Sequence, residues 1–157
     1  MSKIAPLRPR TAGPLRTFAI VASQFNAQHV DGLIDHAKKE LQALVPRAAV
    51  SLHRVPGAFE IPIVVRELAC RKNVDAIIAI GVILQGETSH AENLTRSVTD
   101  ALQRIALDYS VPVIHAVLSF ANEDQARERC LENTINRGTE AARTAVEIVS
   151  ALAKLRI

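Results

Sequence analysis

A glycine-containing loop, Gly86-Glu-Thr-Ser-His90, separates a long apolar run from an amphipathic stretch. Ser89 and Glu92 have the S-x-x-E spacing of a capping box, which would gather the amide groups of residues 86–89 at the N-terminus of a helix. Free amides and the positive end of the helix dipole favour phosphate, and Gly86 leaves room for its close approach. The loop is therefore a candidate phosphate site, although a capped helix after a glycine turn explains the same residues.

Two further side chains could act at such a loop. Arg129 lies on the helix predicted after the next strand, and a guanidinium group binds phosphate with a planar fork of donors. The same arginine belongs to the charged run Glu-Asp-Gln-Ala-Arg-Glu-Arg, which is also typical of a solvated helix face. His90 opens the helix after the loop, where an imidazole could transfer protons, although single histidines are often structural.

Aromatic and acidic side chains stand at two other strand ends. A flat heterocycle could stack on Phe25 or Phe59, although ordinary packing explains either ring taken singly. Glu60 could hydrogen-bond the hydroxyl groups of a polyol, or it could cap the helix that follows. Three further histidines do not lie beside any of these candidate sites, and we expect them at the surface or the core edge: His29, His36 and His53.

The elements that must position these residues alternate between strands and helices. Apolar runs predict strands over 18–22, 49–55, 74–84 and 112–118. Three- and four-residue spacing predicts helices over 30–44, 61–71, 94–105, 123–133 and 141–155, with Gly138 as a break before the last. The last helix is predicted to have an apolar stripe of Ala141, Ala145, Ile148, Leu152 and Leu155. Successive βα units indicate a doubly wound α/β fold whose parallel sheet is centred on 74–84 and binds ligands at the carboxyl ends of its strands.

Length and composition limit the remaining possibilities. The 157 residues, 48% hydrophobic and 22% charged, indicate one folded domain, and a net charge of +3 requires neither nucleic acid nor a membrane as partner. Cys70 and Cys130 lack metal-ligand spacing, so we expect no metal site and a reducing, cytoplasmic compartment. Residues 1–15, with Pro6, Pro9 and Pro14, are interpreted as a flexible or partner-bound arm, followed by a domain over 16–157. The arm does not have the character of a signal peptide.

Taken together, three segments resemble the motifs of the lumazine synthase family in their order along the chain. They are Val55-Pro-Gly-Ala-Phe-Glu-Ile-Pro62, Gly81-Val-Ile-Leu-Gln-Gly-Glu-Thr-Ser-His90, and Glu128-Arg129 followed by Asn136-Arg-Gly138. The resemblance extends from about Arg16 to the C-terminus. The glycine fingerprint of dinucleotide-binding domains and the P-loop are both missing from the sequence.

The resemblance implies a flavodoxin-like three-layer sandwich with a four-stranded parallel sheet. It also implies a transferase that, without cofactor or metal, joins a ribitylaminouracil to dihydroxybutanone phosphate, releasing phosphate and water, in riboflavin biosynthesis. His90 would shuttle protons, and the phosphate would bind to Gly86, Glu87, Thr88 and Arg129. The other implied contacts are to the ring and the ribityl chain: Phe25, Ala58, Phe59, Glu60, Val82, Ile83, Leu84, His115 and Arg137.

The same resemblance implies sites shared between subunits of a pentamer, which could close into a 60-subunit icosahedral capsid, and riboflavin synthase as a further candidate partner. The chain departs from the usual family pattern at several positions, namely Gln85, Ala91, His115, Arg137 and the pair Cys130-Leu131. His115 stands where an aromatic residue of a neighbouring subunit usually closes the ring site. The alternatives are a flavodoxin-like binding module, a shell protein without activity, and an archaeal-type riboflavin synthase.

Overall fold

Strands and helices alternate in the computed structural model, which describes residues 3–8, 15–86 and 88–157. The strands are β1 (Thr17–Ser23), β2 (Ala49–Val55), β3 (Ala76–Leu84) and β4 (Val113–Phe120). The helices are α1 (Ala27–Leu44), α2 (Ile61–Arg71), α3 (His90–Tyr109), α4 (Glu123–Cys130) and α5 (Arg137–Leu155), with a short 3₁₀ helix over Ala58–Glu60. None of the helices in the described ranges has the length and apolar character needed to cross a membrane.

The strands form a four-stranded sheet in the order β2-β1-β3-β4, and every neighbouring pair is parallel. Its centre is β1 and β3, as the long apolar run of β3 predicts. The predicted strand over 74–84 begins later, at Ala76, because the Asp75 carboxylate accepts a 2.7 Å hydrogen bond from the Thr17 amide. Parallel strands place the loops after β1, β2, β3 and β4 at one edge of the sheet.

Two hydrophobic clusters cover the two faces of the sheet. One lies between the sheet and helices α1, α4 and α5, with Phe18 and Phe120 fully buried. The other lies between the opposite face and helices α2 and α3. The doubly wound parallel sheet predicted from the alternating pattern is confirmed, and so is the three-layer sandwich that the resemblance implies.

The region between α4 and α5 differs from the prediction. Helix α4 ends at Cys130 instead of about residue 133, and Gly138 lies inside the first turn of α5 instead of breaking the pattern. The buried Asn136 side chain caps α5 by accepting hydrogen bonds from the amides of Gly138 and Thr139, at 2.8 and 3.2 Å. Glycine is required at position 138 because a Cβ there would overlap the Leu33 carbonyl oxygen of α1.

The buried side of α5 is also rotated relative to the predicted stripe. Ile148 is 37% exposed and Leu155 is 80% exposed, so neither belongs to the core. The apolar side chains that α5 buries are Ala141, Ala142, Ala145, Val146 and Val149. Small side chains at this position allow α5 to lie close to α1.

The described part of the N-terminal segment, residues 3–8, contacts α1 and α5. Arg8 forms a 2.8 Å ion pair with Glu40 of α1, and Arg143 of α5 donates a 3.1 Å hydrogen bond to the Pro6 carbonyl oxygen. Pro9 and Pro14, which contribute to the predicted arm, lie outside the described residues. The division between an arm over 1–15 and a domain over 16–157 stays a prediction.

Candidate functional site

A cavity of about 700 Å³ opens at the carboxyl ends of β1, β2 and β3. We call it the strand-end cavity. It contains the predicted residues Phe25, Ala58, Phe59, Glu60, Val82, Ile83, Leu84 and His90, together with Asn26, Gly57, Asn93, Leu94 and Ser97. It lies where the connections from β1 and β3 leave toward opposite faces of the sheet, which is the usual ligand position in this kind of fold.

The two aromatic rings of the strand-end cavity are exposed. Phe25 is 71% exposed and Phe59 is 68% exposed, whereas the other two phenylalanines of the chain, Phe18 and Phe120, are buried. Core packing therefore does not explain Phe25 or Phe59. Exposed rings beside a cavity can stack on a flat ligand or be covered by another protein surface.

Asn26 is a lining residue that the sequence interpretation missed. Its backbone has the left-handed conformation, with φ 55° and ψ 48°, which asparagine tolerates better than most residues. The turn directs its side-chain amide toward β3, where Nδ2 donates a 2.7 Å hydrogen bond to the Val82 carbonyl oxygen. A ligand at this carbonyl would therefore share the acceptor with Asn26.

Glu60 and His90 bring a carboxylate and an imidazole to the same cavity. Glu60 precedes α2 at the N-cap position, but its side chain makes no capping hydrogen bond to any described residue. The alternative role of Glu60 as a helix cap is therefore not supported. His90 is the first residue of α3, so the start of this helix places the imidazole in the cavity lining.

A second cavity, of about 440 Å³, lies beside the glycine-containing loop and is lined in part by Gly86, Thr88, Arg96 and Ser119. A Cβ at Gly86 would meet nothing within 4 Å, so the loop is open to a ligand. Glu87, the other predicted phosphate contact in the loop, lies outside the described residues. Arg96 adds a guanidinium group that was not predicted for this site.

The predicted capping box at the start of α3 is wrong. Ser89 occupies the N-cap position, but within the described ranges its side chain makes no capping hydrogen bond. Glu92 instead forms a 3.0 Å ion pair with Arg96, one turn further along α3. The His90 amide donates weakly to Thr88 Oγ1, at 3.4 Å, so Thr88 rather than Ser89 provides the side-chain contact at this helix end.

Three predicted site residues lie away from both cavities. Arg129, on α4, is absent from the described residues that line them. His115 and Arg137 line a separate cavity of about 620 Å³, beside the edge strand β4. Within a single chain, the structure does not bring His115, Arg137 or Arg129 to the strand-end cavity.

Two hydrogen bonds fix the ring of His115. The Val117 amide donates to Nδ1 at 3.2 Å, so Nδ1 carries no proton, and Nε2 lies 2.7 Å from Thr99 Oγ1. The ring is therefore neutral, with its proton on Nε2 directed at the threonine hydroxyl. Partial desolvation of the ring lowers the pKa of His115 below its usual value of 6.5, which agrees with the neutral form.

This pKa shift predicts the effect of acid on stability. Because the native ring binds a proton less readily than the unfolded one, the unfolded state carries more protons between the two pKa values, and stability falls as the pH falls through that window. Urea unfolding at about pH 7.5 and about pH 5.5 should show a larger loss for the wild type than for His115→Gln. Equal losses in the two proteins would contradict the assignment.

Neither cysteine is placed to take part in chemistry at these cavities. Cys130 is fully buried, and burial raises the pKa of its thiol to about 12, so it stays protonated. Cys70 is exposed on α2, away from both cavities. Among the residues that the structure describes, no group of three or more His, Cys, Asp or Glu side chains is arranged to hold a metal ion.

Comparison with known proteins supplies the context for this geometry. A family model described as 6,7-dimethyl-8-ribityllumazine synthase matches residues 16–153. The enzyme of that name from Paraburkholderia phymatum is 40% identical over 94% of this chain and 84% of its own length. The one from Burkholderia multivorans is 39% identical over the same shares of the two chains.

Proposed function

The chain belongs to the 6,7-dimethyl-8-ribityllumazine synthase family of riboflavin-biosynthesis enzymes, and we propose that it condenses 5-amino-6-(D-ribitylamino)uracil with 3,4-dihydroxy-2-butanone 4-phosphate. The products are 6,7-dimethyl-8-ribityllumazine, phosphate and water. The observation that carries the proposal is the strand-end cavity, where exposed phenylalanines, Glu60 and His90 meet beside the open glycine loop. The chain is an enzyme, a transferase, and its fold is flavodoxin-like.

Each part of the strand-end cavity suits one part of the aminouracil. Phe25 stacks on the pyrimidine, whose polar edge meets backbone groups of Val82, Ile83 and Leu84. Ala58 and Phe59 line the passage to the ribityl chain, and the Glu60 carboxylate accepts hydrogen bonds from ribityl hydroxyls. The amide groups around Gly86, Glu87 and Thr88 hold the phosphate of the second substrate at the start of α3.

The chemistry requires little more than positioning and proton transfer. The ring amine is itself the nucleophile: it attacks the ketone carbon, and loss of water gives an imine. Elimination then expels phosphate, and closure of the second ring releases another water. His90 takes and returns protons during these steps, while holding the two reactants together can supply up to about 7–11 kcal/mol of the barrier lowering.

We further propose that a second copy of the chain completes each site. His115 and Arg137 line the cavity beside β4, Arg129 lies on α4 and outside the strand-end cavity, and Phe25 and Phe59 are left uncovered. Two different surfaces that meet head to tail generate a ring when the rotation closes. A pentamer that could close into an icosahedral capsid fits this arrangement.

Two further proposals, on the cellular compartment and on a protein partner, follow from the same assignment. The absence of cysteine pairing in the described residues fits a cytoplasmic enzyme. Riboflavin synthase, which would consume the lumazine, is the candidate protein partner.

Turnover of the two substrates tests the function directly. We expect the lumazine product to be formed at the same rate with and without EDTA, because none of the proposed steps uses a metal. The product is followed by its absorbance, and a known lumazine synthase serves as the positive control. No product, or a rate that EDTA abolishes, would contradict the proposal.

Subunit sharing is tested by co-assembly of two defective variants, His90→Ala and Arg129→Ala. When the two variants assemble at random in equal amounts, a site that takes His90 from one chain and Arg129 from its neighbour has both residues intact in about a quarter of cases. Co-expressed variants should therefore recover far more activity than either alone. If both residues acted within one chain, every site would stay defective and no activity would return.

A further inference from the structure

One face of α1 is the docking surface for α4. His29, Gly32 and His36 are spaced three and four residues apart, so they share one side of the helix. A Cβ at Gly32 would lie 2.6 Å from the Cys130 carbonyl oxygen, so the backbones of the two helices approach closely at this point. We call this face, formed by His29, Gly32 and His36, the α4-docking face.

The two histidines hold opposite ends of α4. His29 is buried, and its Nε2 lies 3.2 Å from a carboxylate oxygen of Glu123, the first residue of α4. His36 Nε2 lies 3.3 Å from the Leu131 carbonyl oxygen, just after the last residue of α4. A carbonyl can only accept, so His36 Nε2 carries the proton of that hydrogen bond.

Helix α4 has little apolar surface to hold it in place. It is eight residues long, and the residues that it buries are Ala126 and Cys130. Its C-terminal end is also held by Asn136, whose Nδ2 donates to the carbonyl oxygens of Cys130 and Glu132, both at 3.0 Å. With so little buried area, polar contacts such as these decide where the helix lies.

Arg129 lies on α4 between the two points that the histidines hold. We propose that His29 and His36 are positioning residues, which fix α4 on α1 and so aim Arg129 at the substrate phosphate. The inference rests on the proposed function, because Arg129 has a phosphate to reach only if that substrate is bound. Neither histidine touches the substrate in this scheme.

Kinetics of four variants test the inference. His29→Ala and His36→Ala should each raise the KM of the phosphorylated substrate about five-fold, because a misplaced Arg129 would lose the equivalent of about one hydrogen bond to the phosphate. The KM of the aminouracil and kcat should not change. His29→Gln and His36→Gln retain a side-chain donor at these positions and should restore most of the lost affinity.

A matched control is available on β2. His53 bonds the Ser51 hydroxyl at 3.1 Å and lines a small cavity with residues of α2, which covers the opposite face of the sheet from α4, so His53→Ala should leave both KM values unchanged. Equal increases in both KM values, a loss confined to kcat, or no change at all in the α1 variants would overturn the inference.

Two readouts work without turnover. Amide hydrogen exchange over 126–131 should be faster in both alanine variants, and faster still in Gly32→Ala, whose new methyl group would push α4 away from α1. Calorimetric titration with inorganic phosphate should show weaker binding in the same variants. If the wild type failed to convert the substrates, the proposed function would be contradicted. The amide-exchange rates and the affinity for inorganic phosphate would still decide the role of the two histidines.

Discussion

Arg129→Ala is expected to raise the KM of the phosphorylated substrate about 10- to 150-fold, because a charge-assisted hydrogen bond to phosphate is worth ~1.5–3 kcal/mol. The KM of the aminouracil should change by less than about two-fold, since that substrate carries no phosphate for the guanidinium to bind. Initial-rate kinetics with each substrate varied in turn separates the two effects.

The same helix offers a matched control for this substitution. Arg127 is exposed and pairs with Asp124 at 3.3 Å and Glu132 at 3.7 Å, contacts of a kind that contribute little at a surface. Arg127→Ala should therefore leave both KM values close to those of the wild type. If Arg129→Ala weakened both substrates equally, Arg129 would not be the phosphate ligand.

His90→Ala should lower kcat by about 10- to 100-fold, which is below the usual range for a general acid or base because the substrate amine is already nucleophilic. Both KM values should change much less, since the ring contributes to proton transfer more than to binding. Rapid-mixing and steady-state assays of product absorbance measure the effect, with His53→Ala as the histidine control.

Two results would contradict the role of His90. An unchanged kcat would remove the residue from the proton transfers. Complete inactivity in a folded, assembled variant would mean that His90 does more than move protons, because proximity alone should leave measurable turnover.

The sheet and most of its helices could be predicted from sequence because their signals are redundant. The apolar run of β3 and the spacing in α1 and α2 each identify an element by type and position. The α4–α5 region was harder to predict because its geometry depends on contacts between helices. Nothing local to Gly138 shows that its α-carbon faces the Leu33 carbonyl oxygen of another helix.

The strand-end cavity could be predicted because parallel strands carry their following loops to one edge of the sheet. That rule brings Phe25, Glu60 and His90 together although they are far apart in sequence. The rule says nothing about Asn26, whose contribution depends on one left-handed backbone position, or about the choice between Thr88 and Ser89 at the start of α3. The rule also predicts nothing about residues that another subunit would contribute. The grouping of His115, Arg137 and Arg129 with the cavity therefore stays a prediction.

The position of α5 has a consequence for synthesis on the ribosome. The cluster between the sheet and α1 needs Ala142, Ala145 and Val146 of α5 for its cover, whereas α2 and α3, which cover the opposite face, emerge earlier. A nascent chain that ends before residue 137 can therefore cover one face of its sheet, whereas on the other face the area that α5 covers stays exposed to water. The cooperative transition to the native core must wait for the last helix, and during that interval the chain is at its most prone to aggregation.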